Sequence, residues 1–136
     1  MSLDESQSEA KCQDPFAALL DMHPSPASNG VGIVSMTIQD KHRQNAGMVQ
    51  GGIIVALADY AFHRAVESVL RPGQGAVTVE LKTNFIAPAR QGELTATARI
   101  VSGGRRIVVG DVEVTDQGQT LIARCLGTYL VVAPST

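Results

Sequence analysis

The sequence predicts an α+β fold in which a largely antiparallel sheet curls around one long, mostly buried α-helix. Three observations predict it. Between Gly51 and His63 the only charged side chain is Asp59, and the other residues are apolar, aromatic or glycine. After that run come four segments with strand character, joined by short turns rich in glycine and polar residues, which favours antiparallel pairing. A helix that is apolar all round cannot lie on a flat sheet with one face in water, so the sheet must wrap it or a second subunit must cover it.

Composition narrows the class further. The chain has 136 residues, 44% of them hydrophobic and 18% charged, enough for one domain with a substantial core. Its formal net charge of −2, with no Trp and 4% aromatic residues, argues against nucleic-acid partners. No apolar run approaches the ~18 residues of a membrane span, and the polar, acidic start lacks the apolar core of a secretory leader. Cys12 and Cys125 show neither metal-ligand spacing nor a disulfide framework. Together these features predict a cytoplasmic protein without membrane association.

Residues 1–13 read as a disordered tail, and residues 14–133 as a single domain. Asp14-Pro15 is a cap followed by proline at the first helical position, which opens a short helix to about Met22. His23-Pro24-Ser25-Pro26 stops it. Val34, Met36 and Ile38 alternate with polar residues as a half-buried strand does. A polar loop, 40–45, leads to the glycines and the long helix, which should end near Arg71-Pro72-Gly73. In the next strand Val77, Val79, Leu81, Thr83 and Phe85 share one face, and Thr78, Glu80 and Lys82 the other. Leu94, Ala96, Ala98 and Ile100 mark another strand, followed by the turn Ser102-Gly103-Gly104-Arg105. Val108, Gly110, Val112 and Val114 mark the one after it, and 116–119 turns the chain again. The last segment, 121–132, is apolar on both faces apart from Arg124 and Thr128, which predicts a central strand. About five strands result.

Asn45-Ala46-Gly47-Met48-Val49-Gln50-Gly51-Gly52, followed by Ala56-Leu57-Ala58-Asp59, resembles the signature of hotdog-fold thioesterases of the phenylacetic acid degradation type. The usual form there is Asn, Gly, His-Gly-Gly, and an acidic residue eight positions after the first Gly of the pair. The strand 77–88 and the turn Gly103-Gly104-Arg105-Arg106 are also similar to that family. The resemblance implies a hotdog fold and hydrolysis of acyl-CoA thioesters. It also implies a homodimer, or a dimer of dimers, with shared active sites. No cofactor is implied, because CoA is part of the substrate, and no metal is expected.

Thioester hydrolysis needs a donor for the developing oxyanion and a carboxylate that attacks or activates water. A lone carboxylate on an apolar helix is expensive to desolvate, so Asp59 is the candidate catalytic group, facing packed protein. Gly51 supplies an N–H at the helix start that no Ser, Thr, Asp or Asn immediately before it caps, and the absence of a Cβ lets a carbonyl approach. The plainer reading is that the two glycines only allow close helix packing. Gln50 stands where the family usually has His; its amide could polarise the carbonyl without titrating. Gln44 and Asn45 are alternative amide donors from the loop. His63 lies one turn beyond Asp59 and could pair with it. By resemblance Thr78 is contributed across the dimer to the neighbour's site, although simple alternation puts it opposite the apolar face. Arg90, Gly103, Gly104, Arg105 and Arg106 are candidates for the CoA phosphates. Two other functions compete with the thioesterase: a non-catalytic acyl-CoA-binding protein, and a hotdog dehydratase or hydratase.

Overall fold

The computed structural model describes residues 14–133; the expected tail 1–13 lies outside them, with Cys12. Helix α1 spans Pro15–Leu19, and Asp14 caps it by accepting from the N–H groups of Phe16 (3.0 Å) and Ala17 (3.3 Å). It is shorter than expected. The chain leaves it at Asp21 with a positive φ, and Met22–Pro24 form a short strand, β1, paired with the strand that follows. An edge strand tolerates proline, because one side of its ladder needs no N–H.

Strand β2 (Val31–Thr37) is followed by a 3-10 turn at Asp40–His42 and by the long helix α2 (Gly51–Glu67). Four strands complete the chain: β3 (Gly75–Phe85), β4 (Glu93–Gly103), β5 (Ile107–Asp116) and β6 (Leu121–Val132). They form one six-stranded sheet in the order β1-β2-β4-β5-β6-β3, antiparallel at every pairing. The sixth strand, β1, is the one that alternation did not reveal. β6 is central, as its two apolar faces predict, and β3 forms an edge.

Helix α2 packs on the concave face of the sheet through Ile54, Leu57, Ala58, Ala61, Phe62, Ala65 and Val66. This is one broad stripe at helical spacing. The opposite stripe, Gly52, Ala56, Asp59, His63 and Glu67, is covered only in part or not at all, so one chain does not enclose the helix on all sides. Phe62 is the deepest anchor. Its ring lies over Gly110 and Gly127, which face each other across β5 and β6, and a Cβ on either glycine would come within about 2.6 Å of the ring or of Leu81. The helix ends a turn earlier than expected. Ser68 donates its hydroxyl to the Ala65 carbonyl and accepts the Gly30 N–H, tying that end to the loop before β2.

The loop entering α2 is not the featureless polar connection that sequence suggests. His42 is fully buried; its Nδ1 accepts the Gln39 N–H (2.9 Å), so Nε2 carries the proton and donates to the Leu20 carbonyl (2.8 Å). Its own carbonyl accepts the Gln50 N–H at 2.8 Å. One neutral imidazole therefore fastens α1, the loop and the start of α2 together.

Candidate active site

Strand β3 carries a bulge at Val79: Thr78 pairs with Tyr129 and Glu80 with Thr128, leaving no partner position for Val79. The extra residue inverts the alternation across it. Thr78 consequently shares the inner face with Leu81 and Thr83, against the phase read from the sequence, and it meets the Asp59 of its own chain. Its hydroxyl donates to Asp59 Oδ1 at 2.9 Å. The expectation that Thr78 could reach only a neighbour's site is corrected by this bulge.

The cross-strand partner of Thr78 is Tyr129, which is 1% exposed and was not singled out from the sequence. Its hydroxyl donates to the same Asp59 oxygen at 2.8 Å and lies 3.1 Å from the Asp59 carbonyl oxygen. Its ring meets Phe62 edge-on, with centroids 4.6 Å apart. Burial above all, with the Asp59 charge beside it, raises the phenol far above its ordinary pKa, so it remains a donor at any working pH. A signal was available: a lone Tyr in an aliphatic central strand needs a partner for its hydroxyl.

Asp59 is half-buried, not enclosed. It opens on a cleft of about 180 Å³ lined by Asp14, Phe16, Ala17, Met22, Ala56, Tyr60, His63, Thr78 and Tyr129. Oδ1 takes both hydroxyls, and among the described residues nothing donates to Oδ2. His63 turns from Asp59 to Glu67, with Nε2 3.5 Å from Oε2. The hydrogen bond to Glu67 leads the causes that raise the His63 pKa, and the same contact lowers that of Glu67. Glu67 thus belongs to the Asp59 stripe.

Gly51 is the first residue of α2, and its N–H has no acceptor among the described residues. The capping residue, Gln50, makes no side-chain bond to the helix and is exposed. A Cβ on Gly52 would meet nothing within 4 Å, so close packing does not explain that glycine; one on Gly51 would lie 3.2 Å from the exposed Phe85 ring. The sequence reading set Asp59 opposite the Gly51 amide, and within one chain this is corrected. Eight residues of helix separate them by about 12 Å, too far for both to touch one carbonyl group.

The remaining candidates divide between the two ends of α2. Gln44 bends its side-chain oxygen back onto the Ala46 N–H, and Asn45 beside it is exposed. Arg90 is bound to this loop, donating to the Ala46 carbonyl at 3.3 Å while its own carbonyl accepts from Arg43. Gly103, Gly104, Arg105 and Arg106 lie beyond the other end, with Arg71, on an open cleft of about 1070 Å³. Arg90 and the arginine turn therefore do not converge within a chain. Among the described residues the larger cleft is lined by no carboxylate, whereas the smaller one holds Asp59 with its two hydroxyl donors, so the smaller is the candidate active site. Cys125, free and buried, has its thiol pKa raised chiefly by burial, which disfavours the thiolate form.

A curled antiparallel sheet wrapped on one long helix, with a carboxylate on the helix's open stripe, is the hotdog architecture. The chain belongs to the thioesterase superfamily, whose sequence model matches residues 46–123. It is 34% identical over 102 residues to a putative esterase of Saccharolobus solfataricus, covering 75% of this chain and 67% of that protein. It is 31% identical over 111 residues to the acyl-coenzyme A thioesterase PaaI of Escherichia coli, covering 81% and 77%. The solved structure of the E. coli PaaI protein from the phenylacetic acid degradation operon superposes with a TM-score of 0.85 at 26% identity, over 97% of this chain and 96% of that one. No helix among the described residues is long and apolar enough to cross a membrane.

Proposed function

We propose that the protein hydrolyses an aryl- or medium-chain acyl-CoA thioester to a free acid and CoA, with Asp59 as the reacting carboxylate. The observation that carries this reading is Asp59 itself, held through Oδ1 by two hydroxyl groups and lining a cleft of mixed polar and apolar walls. If Oδ2 attacks the thioester carbon, the C–S bond breaks to give an Asp59 anhydride and the CoA thiolate; water then hydrolyses the anhydride to the free acid and the Asp59 carboxylate, and its other proton goes to the thiolate. If Oδ2 instead takes a proton from water, the hydroxide adds to the carbonyl carbon, the C–S bond breaks, and Asp59 passes that proton to the thiolate.

The oxyanion donor comes from a second copy of the chain. A twofold axis that sets two α2 helices antiparallel places the Gly51 N–H of one copy beside the Asp59 of the other, and the open stripe of α2 is the surface available for that contact. One such donor is worth roughly 3 kcal/mol in the transition state. Gln50, Gln44 or Asn45 then borders the same carbonyl group. The CoA phosphates fit the Arg105–Arg106 turn, with Gly103 and Gly104 amides beside it, since guanidinium groups bind phosphate in a bidentate way.

Replacing Asp59 with Ala tests the reading. Hydrolysis of benzoyl-CoA or octanoyl-CoA, followed by thiol release, should fall at least about 1000-fold, with the melting temperature retained. Residual turnover near wild type removes Asp59 from the reaction. Single turnover in ¹⁸O-water tests the nucleophilic role: label in the Asp59 carboxylate marks a nucleophile, because a general base never exchanges its oxygens with the attacking water.

A further inference from the structure

We propose that Tyr129 is a positioning residue for Asp59: its phenol anchors Oδ1, so that Oδ2 alone is presented to the substrate. The inference rests on the hydrolase reading above and adds to it a residue from the far side of the sheet's inner face.

Three observations carry it. Tyr129 is fully packed, and its hydroxyl spans the carboxylate oxygen at 2.8 Å and the carbonyl of the same residue at 3.1 Å, tying the Asp59 side chain to its own backbone. Thr78, its neighbour across the strand pair, donates to the same oxygen at 2.9 Å, so both donors converge on one atom, and none of the described residues donates to the other. A phenylalanine would satisfy the packing against Phe62 equally well, so the hydroxyl is not needed for the core. Without it a half-buried carboxylate is free to rotate, and misplacing a reacting atom by about 1 Å lowers a rate by about 100-fold. In general a hydrogen bond donated to a carboxylate favours its ionised form, which both chemical roles need.

The experiment compares wild type with Tyr129→Phe on benzoyl-CoA and octanoyl-CoA across pH. The expected result is a fall in kcat of about 10- to 100-fold with KM within about threefold, because the hydroxyl removed is the one bonded to Asp59. The acid limb of the kcat/KM profile should also move to higher pH, by about half a unit to one unit. The other titratable groups around the site, Tyr60, His63 and Glu67 on α2, Asp14 before α1 and Cys125 on β6, are left in place by the substitution. A purely structural role would leave that limb unmoved.

Should Tyr129→Phe fail to fold, 3-fluorotyrosine installed at position 129 keeps the volume and strengthens the donor, and the acid limb should then move to lower pH. A limb within about 0.2 units of wild type in the folded variant overturns the proposal, whatever happens to kcat. If wild type is active, Asp59→Ala is not, and Tyr129→Phe matches wild type, this inference fails and the hydrolase reading stands. If wild type turns over neither ester, both fall.

Discussion

Asp59 could be found in the sequence because an isolated charge in an apolar helix is conspicuous, but its partners could not, because they come from strands 19 and 70 positions later in the chain. His63 shows the converse. Its spacing suggested a pair with Asp59, yet the equally spaced Glu67 takes it instead. That contact raises the His63 pKa and lowers that of Glu67. The His63 contribution to stability is therefore complete below the ordinary imidazole value of about 6.5 and lost as pH rises through the elevated one; the Glu67 contribution is present above its ordinary value and lost as pH falls through the lowered one. Both side chains are more than one-third exposed, so the energy is small. Glu67→Gln should lower the titration midpoint of the His63 ring in proton NMR. A midpoint that stays or rises would show that another group holds the proton.

At the scale of elements, the decisive irregularity is the bulge at Val79. Alternation is a rule about unbroken pairing, and one inserted residue turned Thr78 from the polar face to Asp59. Nothing local in Val77-Thr78-Val79-Glu80 announces it, because the misfit exists only against β6. The helix shows another dependence on its neighbours. Phe62 reads as one apolar residue among many, whereas the glycines facing each other on β5 and β6 make it the pin between α2 and the sheet. Phe62→Ala should destabilise the protein by about 3–5 kcal/mol in urea unfolding, more than a truncation on the open stripe. A loss under about 1 kcal/mol would mean that the sheet closes over the gap.

For the whole molecule, the open stripe of α2 and the β3 edge both ask for a second copy. β3 is an 11-residue edge strand with Val77, Val79 and Phe85 about half exposed, an arrangement that solitary proteins avoid. The 12 Å between Gly51 and Asp59 makes the shared site testable by mixing. Gly51→Pro removes the N–H at a helix position that accepts proline, and Asp59→Ala removes the carboxylate. Each variant should be inactive alone. Unfolded and refolded together, they should recover about 25% of wild-type activity, since half of the dimers are mixed and each of those holds one intact site of two. Continued inactivity of the mixture would place both groups in one chain's site and remove the twofold arrangement.

Read by itself, the sequence determined the helix, the four long strands after it, the central place of β6, and the positions of the lone acid and the paired glycines on that helix. Those features are local: periodicity, capping and an unpaired charge are set by neighbours along the chain. Tertiary structure alone decided that β1 joins the sheet, that His42 is buried, that Thr78 turns inward and that Tyr129 holds the carboxylate. Each of these depends on register or contact between distant segments, and a one-residue slip in a strand reverses which side chains face the core. The separation of Gly51 from Asp59 belongs to the same class, because a helix that brings neighbours together in sequence also keeps residues two turns apart from meeting at one atom.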